Sequence, residues 1–413
     1  MAHLDRTRAA ALMQAQGLDA LILLSPESFR HATGAAPGVG TMWRRAGAVA
    51  VLLPADPALP EMAVVSDLFA AAFRAASHVT DVRTSPLWVE TATLPPGALD
   101  LPPDQALALA TDGRAPERLR PTTFDPSACW RHLAQALADR GLAGARIGVE
   151  LAAISAADWP GLQRSLAPAQ LVDGSALSAR LKMVKSAAEI ALLRQAVELA
   201  EQGIAAVRDA IRPGIRRTDL SAVWSAAVAA GRGDRPLTGA WDYISVGPDP
   251  WGGNAAARPG DIVKVDVGCV MDGYTSDSGR TFVLGDPPPV ARRIHEALMA
   301  GFHAGLAVLA PGVPLAQVHR TTQAAIRAAG LPGFSRGHYG HGLGASLGSE
   351  EWPFIAADSD VVAEPGMVLA FECPFYVNGL GGFIIEDQIL VTATAAEPMN
   401  RLPHALLGVA TAT

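Results

Sequence analysis

Residues 261–282 read DIVKVDVGCVMDGYTSDSGRTF, two runs rich in β-branched residues on either side of Asp272-Gly273. Asp-Gly is a preferred pair for a two-residue hairpin turn, because both central residues must take a positive φ. The turn therefore predicts Met271 facing Tyr274, and it fixes the rest of the register. Asp266 falls opposite Gly279 and Asp277 opposite Gly268, so the two Asp side chains share one face as diagonal neighbours, ~7–8 Å apart at the backbone. Two carboxylates aimed at one spot repel each other unless a proton or a cation lies between them. A divalent metal ion resolves the conflict. The ordinary reading of such a pair is a solvated hairpin face, but Asp266 sits inside the apolar run 262–270, where an exposed charge is out of place.

The other common metal-ligating types recur downstream. His341 lies in the glycine-flanked string HYGHGLG. Glu372 interrupts the apolar strand predicted over 367–375, and Glu386 interrupts 382–390 in the same way. These two strands read as a second hairpin around Asn378-Gly379 with both Glu residues on one face, although the connection is too long to fix its register. Two Asp, one His and two Glu form an oxygen-rich set that suits a pair of Mn, Fe, Co or Zn ions. Cys129, Cys269 and Cys373 give neither a disulfide framework nor zinc-module spacing, and Cys373 should point away from Glu372 into the core.

The chain has 413 residues, half of them apolar, so two domains are expected at ~150 residues each. With 33 basic against 40 acidic residues the net charge is −7, which argues against a nucleic-acid binder. Cysteine usage and the charged, helical N-terminus fit a cytoplasmic protein, and no apolar run is long enough to span a membrane. The first part alternates helix and strand: a helix over 5–16, strands over 20–24, 46–53 and 146–150, a turn at Ser25-Pro26-Glu27, and loops over 94–103 and 113–121. That pattern predicts a three-layer α/β domain. A segment at 171–179 leads into a long helix over 186–211, which places the boundary so that the domains are 1–178 and 179–413. Beyond residue 261 the period alternates, with helices over 290–308 and 314–329, so the second domain reads as α+β with a mostly antiparallel sheet.

The strings VDVG, GYTSDSGRTF, GHGLG, EPGMVLAFE and IIEDQILVT cover most of 261–392 and resemble the pita-bread metallopeptidase family, which includes methionine aminopeptidases, aminopeptidase P, prolidase and creatinase. GLDALILLSPESFRHATG and LKMVKSAAEIALLRQA resemble that group's creatinase-type N-terminal domain and the lead-in helix of its catalytic domain. The resemblance implies an α/β N-terminal domain followed by an α+β pita-bread catalytic domain. It puts the metal ligands on Asp266, Asp277, His341, Glu372 and Glu386, with Asp277 and Glu386 bridging two divalent ions, manganese foremost. It further implies a metal-activated water attacking a carbonyl carbon, Glu372 in proton transfer, a dipeptide or small-molecule substrate, and a homodimer.

Three departures concern the peptide-handling residues. No His stands in the loop 247–253, where Trp251 takes its place; none follows His341 within 345–352; and Ile384 replaces the Arg usual two residues before the last Glu ligand. His338 is read either as a partial replacement in catalysis or as a structural imidazole. Glu350 and Glu351 are read as a proton shuttle and a holder of a cationic substrate end, or as a solvated loop. Trp251 and Trp352 are read as walls of the substrate site, or as core packing. The function expected is a dinuclear metallohydrolase cleaving a C–N bond, Xaa-Pro dipeptidase- or aminopeptidase-like. The alternatives are a small-molecule amide or amidine hydrolase of the creatinase or ectoine hydrolase kind, a lyase on the same scaffold, and a non-catalytic binding protein.

Overall fold

The structure is a computed structural model that describes residues 3–90, 92–111, 119–345 and 350–409. Most of the predicted loop over 113–121 and part of the stretch after His341, residues 346–349, lie outside the described residues. The chain divides into two compact units, Met1–Leu181 and Lys182–Thr413.

In the first unit Asp5 caps the helix Arg6–Ala15 by accepting from the Thr7 and Arg8 amides. The strands β1 (Ala20–Leu23), β2 (Ala50–Pro54), β3 (Met62–Ser66), β4 (Asp81–Ser85), β5 (Arg146–Val149) and β6 (Gln170–Asp173) form one sheet in the order β4-β3-β2-β1-β5-β6. Their alternation splits the apolar residues between two cores, Leu21, Leu23, Val51 and Leu53 on one face and Ala20, Ile22, Ala50 and Leu52 on the other. Helices cover both faces, which gives the expected three layers. The turn expected at Ser25-Pro26-Glu27 is instead the start of the helix Pro26–Thr33. Ser25 caps it through the Ser28 amide, and a proline with its fixed φ suits the first helical position, whose N–H has no partner within the helix.

The second unit opens with the helix Ala187–Ala210, started by a capping box between Ser186 and Glu189. Its main sheet contains β7 (Leu237–Asp242), β8 (Ser245–Val246), β9 (Ile262–Met271), β10 (Tyr274–Thr275), β11 (Ser278–Leu284), β12 (His338–Gly342), β13 (Glu351–Ala356) and β14 (Val368–Glu372), with β17 (Glu386–Val391) reached through the short pair β15 (Phe375–Val377) and β16 (Gly381–Phe383). The main path runs β10-β9-β11-β17-β14-β12-β13 and is antiparallel throughout; a parallel pairing with β11 comes from the strand Leu407–Val409. One side of β9, with Val263, Val265 and Val267, packs on the helix Ala187–Ala210. The helices Pro289–Val308 and Leu315–Ala328 close a second core with Leu369, Phe371 and Ile389.

Both hairpins that carry the expected ligands form. Asp272 and Gly273 take φ of 47° and 82°, Met271 pairs with Tyr274, and Gly279 pairs with Asp266. The second hairpin acquires the register that the sequence leaves open: Phe375 pairs with Phe383, and Glu372 stands directly opposite Glu386.

Candidate metal centre

On β9 the valines at 263, 265 and 267 enter the core, so the alternating residues Lys264, Asp266 and Gly268 face the other way. Glycine is required at 268, where a Cβ would strike the Ser276 carbonyl and the Trp241 ring. Ser276 ties the start of the returning strand to Cys269, its amide donating to the Cys269 carbonyl at 2.9 Å and its hydroxyl accepting from the Cys269 amide at 3.0 Å. Asp277, the next residue, is thereby held on the face that Asp266 shares. Opposite Asp266, Gly279 leaves room for Ile384.

His341 reaches the same place from β12. Its Nδ1–H donates to the Gly342 carbonyl at 3.0 Å, and since a carbonyl only accepts, Nε2 is left with its lone pair, 3.6 Å from Asp277 Oδ2. Asp277, His341 and Glu386 are buried, each with a ligand atom within 4.8 Å of the others'. Asp277 Oδ1 and Glu386 Oε2 have no hydrogen-bond partner within the described residues. Burial, reinforced by the neighbouring carboxylates, pushes both acids well above the ordinary carboxyl range. A cation would remove that penalty, and two carboxylates with one imidazole are donors suited to a divalent metal ion.

Asp266 and Glu372 line the same cavity, of about 320 Å³, but each already has a cationic partner. Lys264 Nζ donates to Asp266 Oδ2 at 2.9 Å, and Arg336 Nη2 donates to Glu372 Oε1 at 2.7 Å. Burial raises Asp266 too, but here Lys264 pulls it back.

The five expected ligands therefore converge, and the other expected residues divide. Trp251 lines the cavity, exposed and stacked on Tyr376 with ring centroids 4.3 Å apart. Glu350 is exposed at the border between this cavity and a second one of about 450 Å³. His338 and Trp352 line the second cavity. His338 accepts from the Gly340 amide at Nδ1, which lies 3.8 Å from Glu372 Oε1, and burial followed by the nearby Arg336 favours its neutral form. Glu351, expected beside the substrate, instead forms a buried pair with Lys185 at 2.7 Å. Cys269 and Cys373 are core thiols, as expected.

Lys264, Arg336 and Tyr376 are among the cavity residues that the sequence does not single out, as are Arg217, Trp241 and Asp242. Lys264 was readable, since it stands two residues before Asp266 on an alternating strand. Arg336 lies in the non-periodic stretch before β12 and carried no signal.

Residues 191–393 match the model of metallopeptidase family M24. A probable dipeptidase PepE of Mycobacterium bovis is 34% identical over 237 residues, 55% of this chain and 61% of that protein. The Xaa-Pro dipeptidase of Pyrococcus furiosus is 27% identical over 233 residues, 55% of this chain and 66% of that protein. The match thus spans less than two thirds of either relative. Among solved structures, dipeptidase PepE from Mycobacterium ulcerans superposes with a TM-score of 0.75 at 26% identity, covering 98% of this chain and 97% of that one. With these matches added to the fold and to the cluster of acids around His341, residues 191–393 belong to metallopeptidase family M24, the pita-bread metallohydrolases.

Proposed function

We propose that this chain hydrolyses the C–N bond of short peptides, with Xaa-Pro dipeptides as the leading substrate class. The observation that carries the reading is the convergence of Asp277, His341 and Glu386, with two orphaned carboxylate oxygens, on a cavity of about 320 Å³, a size that suits a small substrate. Asp266, Asp277, His341, Glu372 and Glu386 would hold divalent metal, and manganese suits a set so rich in oxygen. The metal, when bound, supplies Lewis acidity toward a carbonyl oxygen and lowers the pKa of water.

The protein's own groups do the rest. Glu372 has one oxygen fixed by Arg336 and the other left to accept a proton from the attacking water and return it to the leaving nitrogen. The Trp251–Tyr376 stack offers a flat apolar wall at the cavity, suited to a pyrrolidine ring. A homodimer remains our expectation from the family, to be checked by light scattering.

A second reading is favoured by one observation: Trp251 takes the loop position where the family's peptide-handling His is expected, with no His in 247–253. It keeps the metal centre but exchanges the substrate for a small amide or amidine. A panel of Gly-Pro, Ala-Pro and Leu-Pro set against creatine, cyclic amidines and sulfonium compounds, each assayed with manganese, separates the two. Turnover of the dipeptides is expected; turnover confined to the non-peptides would replace the first reading with the second, and none at all would refute both.

A further inference from the structure

We propose that this centre holds one divalent ion tightly, and that Lys264 and Arg336 stand in for the charge of the second ion expected from the family. This rests on the five-ligand assignment above. The observation is an asymmetry within the ligand set. Asp277, His341 and Glu386 have their ligand atoms drawn together, and oxygens of Asp277 and Glu386 are left without partners. Asp266 and Glu372 are each bonded to an internal cation, at 2.9 and 2.7 Å.

Neither cation is a loose surface group. The Lys264 side chain is only 4% exposed, its stem lies against the position of Gly382, and its ammonium sits 5.3 Å from the centre of the Tyr376 ring. Arg336 is anchored at its other end, with Nε donating to the His338 carbonyl at 2.6 Å. Both are therefore held at the carboxylates they neutralise.

Charge counting points the same way. The carboxylates of Asp266, Asp277, Glu372 and Glu386 carry four negative charges, and Lys264 and Arg336 return two. One divalent ion brings these six side chains to neutrality, whereas a second would leave two positive charges among them, to be met in part by the more exposed Glu350 at the same cavity. The second ion would also have to displace an ammonium from Asp266 Oδ2 to gain that oxygen. Asp266 thus becomes a ligand already engaged, and Lys264 a positioning residue that sets the metal count.

The test is metal stoichiometry with wild-type protein and Lys264→Met, which keeps the side-chain bulk and removes the charge. Each protein is stripped, dialysed against graded Mn(II), and analysed for ions per chain, and the Mn(II) forms are examined by electron paramagnetic resonance. Wild type is expected to saturate at one ion with the spectrum of an isolated Mn(II), and Lys264→Met to take a second ion at least about tenfold more tightly than wild type does. Two ions of similar affinity in wild type, with a spin-coupled spectrum, would overturn the proposal and leave the metal centre standing. One ion in both proteins would overturn the role given to Lys264. No ion in wild type would overturn this proposal and the centre together. If Lys264→Met does not fold, the wild-type count and spectrum decide.

Discussion

At the scale of single residues, Asp277 carries the greatest weight. It is buried, has an unpartnered oxygen and lies closest to His341, so its carboxylate has little reason to be there other than to bind a cation. Asp277→Ala should abolish metal binding and reduce turnover by at least about 10³-fold, the scale expected when a metal's charge stabilisation is lost, while the circular dichroism spectrum stays that of wild type. A metal-free variant with full activity would refute the assignment. Glu189, at the start of the helix Ala187–Ala210, is buried away from solvent, and burial raises its carboxyl to about 7. Because the folded pKa lies above the unfolded value of ~4.3, the stability linked to this group is full below that value and lost as pH rises through about 7. Glu189→Gln keeps an acceptor for the Ser186 amide and removes the titration. The variant should flatten the dependence of unfolding free energy on pH over that window and be more stable than wild type at pH 8, by an amount on the order of 3 kcal/mol. A free-energy difference between variant and wild type that is the same in urea titrations at pH 5 and at pH 8 would contradict it.

At the scale of elements, the site is set by where two hairpins and one bulged strand end. Gly340, just before His341, has a φ of 140°, and a Cβ there would strike the Ala370 carbonyl across the β12–β14 pairing. Gly340→Ala should therefore cost about 2–4 kcal/mol and displace the imidazole. A lowered melting temperature together with weaker Mn(II) binding checks this; unchanged binding would show that β12 absorbs the change without moving His341. The elements also explain what could be read in advance. The first hairpin was legible because Asp272-Gly273 sets both its turn type and its register, and Asp266 and Asp277 follow from it. The register of the second was hidden because residues 373–385 contain a small ladder of their own, which only the fold aligns with Glu372 and Glu386. Ser25-Pro26 opens a helix where a turn is expected, because the same dipeptide serves both. Arg336 was missed because nothing periodic surrounds it.

At the scale of the whole molecule, each unit has its own sheet and cores, and the five proposed metal ligands all belong to the second. The α/β and α+β classes were legible from the periodicity of apolar residues, since alternation and helical spacing hold over whole elements. The chemistry of the site was legible only in its acids and its imidazole, not in the cations that answer them. No helix among the described residues is long and apolar enough to cross a membrane. Because metal binds the folded chain, removing it lowers stability by mass action. Saturation at one hundred times the dissociation constant is worth ~2.7 kcal/mol, so a chelator should lower the unfolding midpoint of wild type and leave that of Asp277→Ala unmoved.

The most direct test of the central claim, that buried acids and an imidazole from separate strands gather to hold catalytic metal, is anomalous diffraction from crystals grown with Mn(II). The account predicts a peak at ordinary coordination distances from the side-chain donor atoms of Asp277, His341 and Glu386. An anomalous map with no peak at that cluster, from crystals shown by their fluorescence to contain manganese, would contradict it.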